Sequence, residues 1–231
     1  MARPQDFATL YRAFDEPVTD VDCGLKCGPY NERGVPFCCD PRHAIPTAYR
    51  EEWAYLQAHT DLWRLWQDED EGETRRIWQE TPSYQVPIVC KGAAFCQRPF
   101  RSVVCRAFPF FPYVSRQNEL WGLSYYWQYE DRCWVLSHLH RVRPAFVQAA
   151  LAAYRQLFAW YPQERAAFRH HTQVMRRVFA RWGRRVPLLH RDGFVYLVDP
   201  RTEGLERVDP ASLPKHGVYR WAEALPFSDE E

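Results

Sequence analysis

From Pro144 onward, apolar residues fall at Phe146, Val147, Ala150, Leu151, Tyr154, Leu157 and Phe158, the spacing of a single buried helix face. Proline suits a first helical position, so a helix is predicted over 144–161. Pro162 opens a second one over 163–182, with Gly183 as its stop signal. Joined by so short a link, the two are expected to form an antiparallel pair. Upstream, Trp53, Leu56, Leu62, Trp63 and Trp66 keep a helical period behind Thr47, Glu51 and Glu52. That is the signature of a helix start, predicting a helix over 47–65 with Thr47 as its N-cap. The acidic run 66–73 breaks this pattern, and a shorter helix is expected over 73–78.

Between 81 and 114 the pattern changes. Pro82, Pro87, Pro99, Pro109 and Pro112 exclude long helices, while 86–89 and 110–114 are rich in β-formers and read as short strands. The segment 120–129 is expected to pair with 110–114 through a turn at Arg116-Gln117-Asn118. In the tail, Asp192-Gly193 lies between the β-rich runs 186–189 and 194–198, a hairpin signal. These elements predict an α+β chain: a cysteine-rich metal-binding part over 1–140 with short strands and helices, then a helical pair and a C-terminal β-hairpin over 141–231.

With 231 residues, 46% of them hydrophobic and 16% aromatic, the chain can bury a core without disulfides. No run of about 18 apolar residues occurs, and the N-terminus has no apolar signal region. The expectation is therefore a cytoplasmic protein that does not engage a membrane. A net charge of +1 argues against nucleic acid as partner. Eight arginines cluster between Arg165 and Arg191; they read as a solvated helix face or, in the alternative, as a phosphate-binding surface.

The chemistry resides in eight cysteines, all between positions 23 and 133: Cys23, Cys27, Cys38, Cys39, Cys90, Cys96, Cys105 and Cys133. In a reduced compartment such a set reads first as metal ligands. Thiolates hold both zinc and iron-sulfur clusters, and closely spaced pairs such as Cys23 and Cys27 converge at small entropic cost. The vicinal Cys38 and Cys39 point to different sides of an extended backbone, so one is expected to face the metal and the other elsewhere. Four thiolates satisfy one zinc or one 4Fe-4S cluster, so eight imply either two sites or some cysteines that only pack. The aromatics Phe37, Phe95, Phe100, Phe108, Phe110, Phe111, Trp127 and Trp134 read as shielding for a cluster or as core.

The opening Cys23…Cys27…Cys38-Cys39, the following Thr47 and Glu51 or Glu52, and the block Arg101-Ser102-Val103-Val104-Cys105-Arg106-Ala107-Phe108-Pro109 resemble the YkgJ-like cysteine-cluster family of zinc- or iron-chelating proteins. The likeness covers about residues 20–135. Here the opening spacings are longer than that family's, and Ser102 stands at its proline position. The resemblance implies all eight cysteines as metal ligands. It also extends to flagellin lysine N-methylases, which implies S-adenosylmethionine as a further cofactor, although no glycine-rich strand-to-helix turn marks a pocket for it. Arg101 and Arg106, flanking Cys105, are candidates to donate to thiolate or sulfide at the cofactor, or else to pair with a carboxylate such as Glu51 or Asp40. His138 and His140 are candidates to complete a metal site near Cys133, or are loop residues. His170 and His171 carry less weight, and Tyr125, Tyr126, Trp127 and Tyr129 read as core or as a stacking surface.

The leading expectation is thus a metal-cluster protein, 4Fe-4S in preference to zinc, with a redox or modification role and an unidentified protein or redox partner. A zinc-stabilised interaction module without catalysis is the first alternative. A protein lysine N-methylase using S-adenosylmethionine is the second.

Overall fold

The computed structural model describes residues 2–221, so the last ten residues of the predicted C-terminal part lie outside the described residues. In chain order the helices are α1 (Asp6–Ala13), α2 (Cys23–Cys27), α3 (Arg50–His59), α4 (Glu71–Glu80), α5 (Val103–Ala107), α6 (Pro144–Trp160) and α7 (Pro162–Arg181). The strands are β1 (Thr47–Tyr49), β2 (Trp63–Leu65), β3 (Gln85–Cys90), β4 (Phe110–Val114), β5 (Leu120–Tyr125), β6 (Val186–His190), β7 (Val195–Val198) and β8 (Leu205–Val208). The class is α+β, with two antiparallel sheets.

The larger sheet runs β4-β5-β6-β7-β8, so strands from both sides of residue 140 share it. Its centre depends on Gly122: opposite His190 in the β5–β6 pair, it lies where a Cβ would collide with the Leu189 carbonyl. The predicted antiparallel pair, α6 and α7, covers one face, α7 against β4 and β6 and α6 against β5. Phe146, Ala150, Leu151 and Leu157 from α6 join Met175 and Phe179 from α7 and Phe111, Leu123 and Leu188 from the sheet, all fully buried. Gly183, at φ +66°, ends α7 as its position predicted. Both predicted hairpins form; β8, absent from the sequence reading, extends the second one to an exposed edge.

The smaller sheet, β1-β3-β2, corrects the helix expected over 47–65. Thr47 begins a strand and caps nothing; β1 pairs Tyr49 with Gln85, and β2 pairs Trp63 with Cys90. Only Arg50–His59 is helical. Its N-cap is Tyr49, whose backbone N–H donates to Glu52 Oε2 at 3.1 Å. β-branched and aromatic residues at both ends of the segment pair with the two edges of β3, and that pairing overrides the helical period. Part of the arginine cluster is occupied: Arg176 pairs with Glu203 at 3.1 Å, Arg184 with Glu130 at 2.7 Å, and Arg185 with Glu206.

Candidate metal centre

The cysteines border one cavity from six short segments. In α2, Asp22 accepts from the Gly24 N–H at 2.8 Å as N-cap, and the i,i+4 relation puts Cys23 and Cys27 on one helix face. Against α2 packs a 3₁₀ turn, Trp134–Ser137, that follows directly on Cys133. Cys38 and Cys39 close another 3₁₀ turn, Phe37–Cys39. The loop beyond them is braced by buried Asp40, which accepts from Arg42 Nη2 at 2.9 Å and Asn31 Nδ2 at 3.2 Å. These bonds, the one from Arg42 foremost, hold the Asp40 carboxyl well below the usual carboxylate range.

The remaining ligand candidates come from the β3–α5 region. Cys90 ends β3 and Cys96 follows the turn Ala93–Phe95. Cys105 lies in α5, whose N-cap is Ser102, accepting from the Cys105 N–H at 3.3 Å. Ser102 thus has a capping task of its own. Trp63 Nε1 donates to the Phe100 carbonyl at 2.7 Å, and Thr60 to Gln97 at 2.7 Å, fixing this loop to the smaller sheet.

All eight cysteines line one cavity of about 660 Å³, and none is in a disulfide. That volume is in the range of small-molecule sites. Phe37, Phe108, Tyr126, Tyr129 and Trp134 contribute apolar wall, and both signs of charge line it as well, Arg98, Arg101 and Arg106 with Asp15, Asp22 and Glu164 among them. Of the other shielding candidates, Phe110 and Phe111 are core and Phe95 is 64% exposed. Cys38 Sγ and Cys39 Sγ are 4.0 Å apart. Among the described residues, no three His, Cys, Asp or Glu side chains converge closely enough to hold an ion as they stand.

The two flanking arginines divide their tasks. Arg101 Nε donates to Cys96 Sγ at 3.0 Å. Arg106, 8% exposed, instead donates to the carbonyls of Arg101 at 2.9 Å, Phe14 at 2.8 Å and Pro99 at 2.8 Å, and pairs with Asp15 at 3.1 Å. Neither Glu51 nor Asp40 is its partner. Its guanidinium also lies 4.4 Å from the Tyr11 ring centroid, so it ties the cysteine loop to the end of α1.

Burial pushes Cys23 up to about 11 and Cys105 up to about 12, and it raises Cys27, Cys90 and Cys133 as well. The vicinal pair splits: a hydrogen bond from Cys38, helped by the charge of Arg101, lowers Cys39 to about 7, while the same bond raises Cys38. Cys105 feels the charges of Cys39, Cys96 and Cys90, whereas Cys133 feels those of Cys23 and Cys27.

His138 stacks on Trp134 at 4.3 Å and bonds its carbonyl at 2.8 Å; neither it nor His140 lines the cavity. His171 is packed against Phe111 and Trp127, and burial lowers it to about 4. Tyr125 is core, while Tyr126 and Tyr129 reach the cavity wall. Glu164, not among the candidates that the sequence singles out, is buried in the first turn of α7 and lines the cavity. It accepts from Tyr49 at 2.8 Å and Tyr84 at 2.5 Å, and burial raises its carboxyl. Its acidic place at a helix N-terminus was visible; its tyrosine partners, far apart in sequence, were not.

Comparison with family models, curated proteins and solved structures returns no match for this chain.

Proposed function

We propose that this protein holds a thiolate-ligated metal cluster in its cysteine-lined cavity, iron-sulfur in preference to zinc, in support of a redox or modification reaction. One observation carries the reading: eight cysteines spread over 23–133 line a single cavity, unbridged by disulfides. Thiol is the donor shared by zinc and iron-sulfur sites, and the motif resemblance to the YkgJ-like family supports the same choice. Phe37, Phe108, Tyr126, Tyr129 and Trp134 on the cavity wall would shield a cluster, and this favours iron-sulfur. When bound, such a cluster supplies one-electron chemistry.

The residues that would hold it are drawn, four to a cluster, from Cys23, Cys27, Cys38, Cys39, Cys90, Cys96, Cys105 and Cys133. Most of these thiols carry raised pKa values, so ligation would release protons and strengthen as pH rises. Arg101 would offset the negative charge of the assembled thiolates through its bond to Cys96. Cys96 is exposed, giving an electron partner access to the site. Exposed Leu25 and Phe95 stand beside ligand cysteines in the chain, as suits a protein partner.

The test is purification without oxygen, followed by iron, zinc and acid-labile sulfide analysis and a visible spectrum. Iron and sulfide in equal amounts, with absorbance near 400 nm, support the cluster. Zinc without sulfide moves the function to a metal-stabilised interaction module, and neither metal ends the reading.

A further inference from the structure

We propose that the end of the cavity at Glu164 binds a small-molecule alkylamine, whose protonated nitrogen pairs with that carboxylate. That such an amine is the substrate of the metal-dependent reaction rests on the proposed function; the site itself stands on Glu164 and its surroundings. Among the described residues five carboxyls are buried: Asp40, Glu52, Glu130, Glu164 and Glu203. Three of them have a guanidinium partner, Asp40 in Arg42 at 2.9 Å, Glu130 in Arg184 at 2.7 Å and Glu203 in Arg176 at 3.1 Å. Glu52 is closed in by Tyr11 and two backbone N–H groups and does not line the cavity. Glu164 lines it, although only 5% exposed.

The partners of Glu164 are neutral: Tyr49 Oη at 2.8 Å, Tyr84 Oη at 2.5 Å and Gln85 Nε2 at 3.3 Å. The N-terminal end of α7 adds only a fraction of a charge. A carboxylate buried in this way is stabilised by a cation from outside the chain. Its neighbours suit an alkylammonium. Phe168 lies one turn further along the same face of α7, and both it and Tyr126 line the cavity. Burial and then the charge of Glu164 push the Tyr126 phenol up, which places that ring near the carboxylate. Aromatic faces attract organic cations. β3 then leads from Glu164 toward the thiols. Gln85, bonded to Glu164, and Val89 share one face of the strand about 13 Å apart, and both line the cavity, with Cys90 next in the chain. An alkyl chain anchored at Glu164 can therefore run along β3 to the cysteine end.

The probe is n-hexylamine, with n-hexanol as its uncharged counterpart, titrated calorimetrically into the full chain purified without oxygen, iron and zinc being measured in each sample. The amine is expected to bind about ten-fold more tightly than the alcohol, or better. Glu164→Gln should abolish that preference, whereas Glu52→Gln, which alters a buried carboxyl outside the cavity, should keep it. No binding of the amine, equal affinity for amine and alcohol, or a preference that survives in folded Glu164→Gln overturns the site and leaves the cluster reading intact. Should Glu164→Gln not fold, a crystal structure of the unaltered protein with n-hexylamine decides: its nitrogen beside Glu164 supports the site, and its nitrogen elsewhere overturns it. A lysine-containing peptide, too bulky to follow the alkyl chain to so buried a carboxylate, should bind several-fold more weakly; equal binding overturns the small-molecule assignment. Selective amine binding by protein that holds neither iron nor zinc supports the site and overturns the cluster reading, and with it the amine's role as substrate.

Discussion

The buried carboxylates and the cysteine cavity treat polar groups in opposite ways. Glu52 accepts from Tyr11 Oη at 2.6 Å, Val103 N at 2.7 Å and Tyr49 N at 3.1 Å. Glu130 is held by Arg184 at 2.7 Å and Tyr125 at 2.7 Å, and Glu203 pairs with Arg176 at 3.1 Å and accepts from Tyr113 at 3.2 Å. Each carboxyl group arrives with its partners already in place, because an unpaired polar group is too costly to bury. The thiols carry no such network, and Arg101 is the charged side chain that donates to one of them. A neutral thiol buries cheaply, so this cavity can form before anything occupies it. The carboxylates hold the fold; the thiols are available for chemistry.

The comparison breaks most readily at Glu52. Glu52→Ala strands three donors in the core and is expected to lose about 3–5 kcal/mol in urea unfolding, with Glu52→Gln losing about 1–2 kcal/mol. Burial raises this carboxyl to about 7, so between its ordinary range and that value the unfolded chain gives up the proton first. Stability therefore falls by about 3 kcal/mol as pH rises from near 4.5 to 7. Glu52→Gln should flatten that decline, and a pH profile as steep as in the unaltered protein would refute the assignment.

The two arginines beside Cys105 sharpen the contrast. Arg106→Ala removes bonds to several carbonyls and is expected to cost about 2–4 kcal/mol in the same assay. Arg101→Ala should cost less than about 1 kcal/mol yet lower metal retention several-fold, and the reverse ranking would dissolve the distinction between brace and thiolate partner. In metal-free protein at neutral pH, Cys39, lowered to about 7, should alkylate faster than Cys23 and Cys105, as mass spectrometry of brief iodoacetamide treatment can show. The smallest effect belongs to the exposed Lys91–Asp61 pair. Lys91→Ala should shift stability by about 0.5 kcal/mol at most.

The same contrast explains what could be read from the chain. Proline and glycine at 144, 162 and 183 and a strict helical period defined α6 and α7, since local signals agree there with the tertiary packing. The segment 47–65 has equally good spacing, but its two ends are claimed by the edges of β3, a partner some twenty to forty residues away. The short β8 and α1 lack any such punctuation and went unread. Cysteine identities were plain in the sequence, whereas their meeting in one cavity depends on Cys133 reaching α2 from more than a hundred residues downstream. Likewise Arg106 and Arg101 looked equivalent beside Cys105, and only the end of α1 separates them.

X-ray absorption at the iron and zinc edges of protein purified without oxygen tests the central claim most directly, because it reports the metal and its neighbours together. The account predicts an iron edge with sulfur alone as nearest neighbours at about 2.3 Å and iron–iron scattering beyond. A shell dominated by oxygen or nitrogen, or the absence of any metal edge, would contradict it.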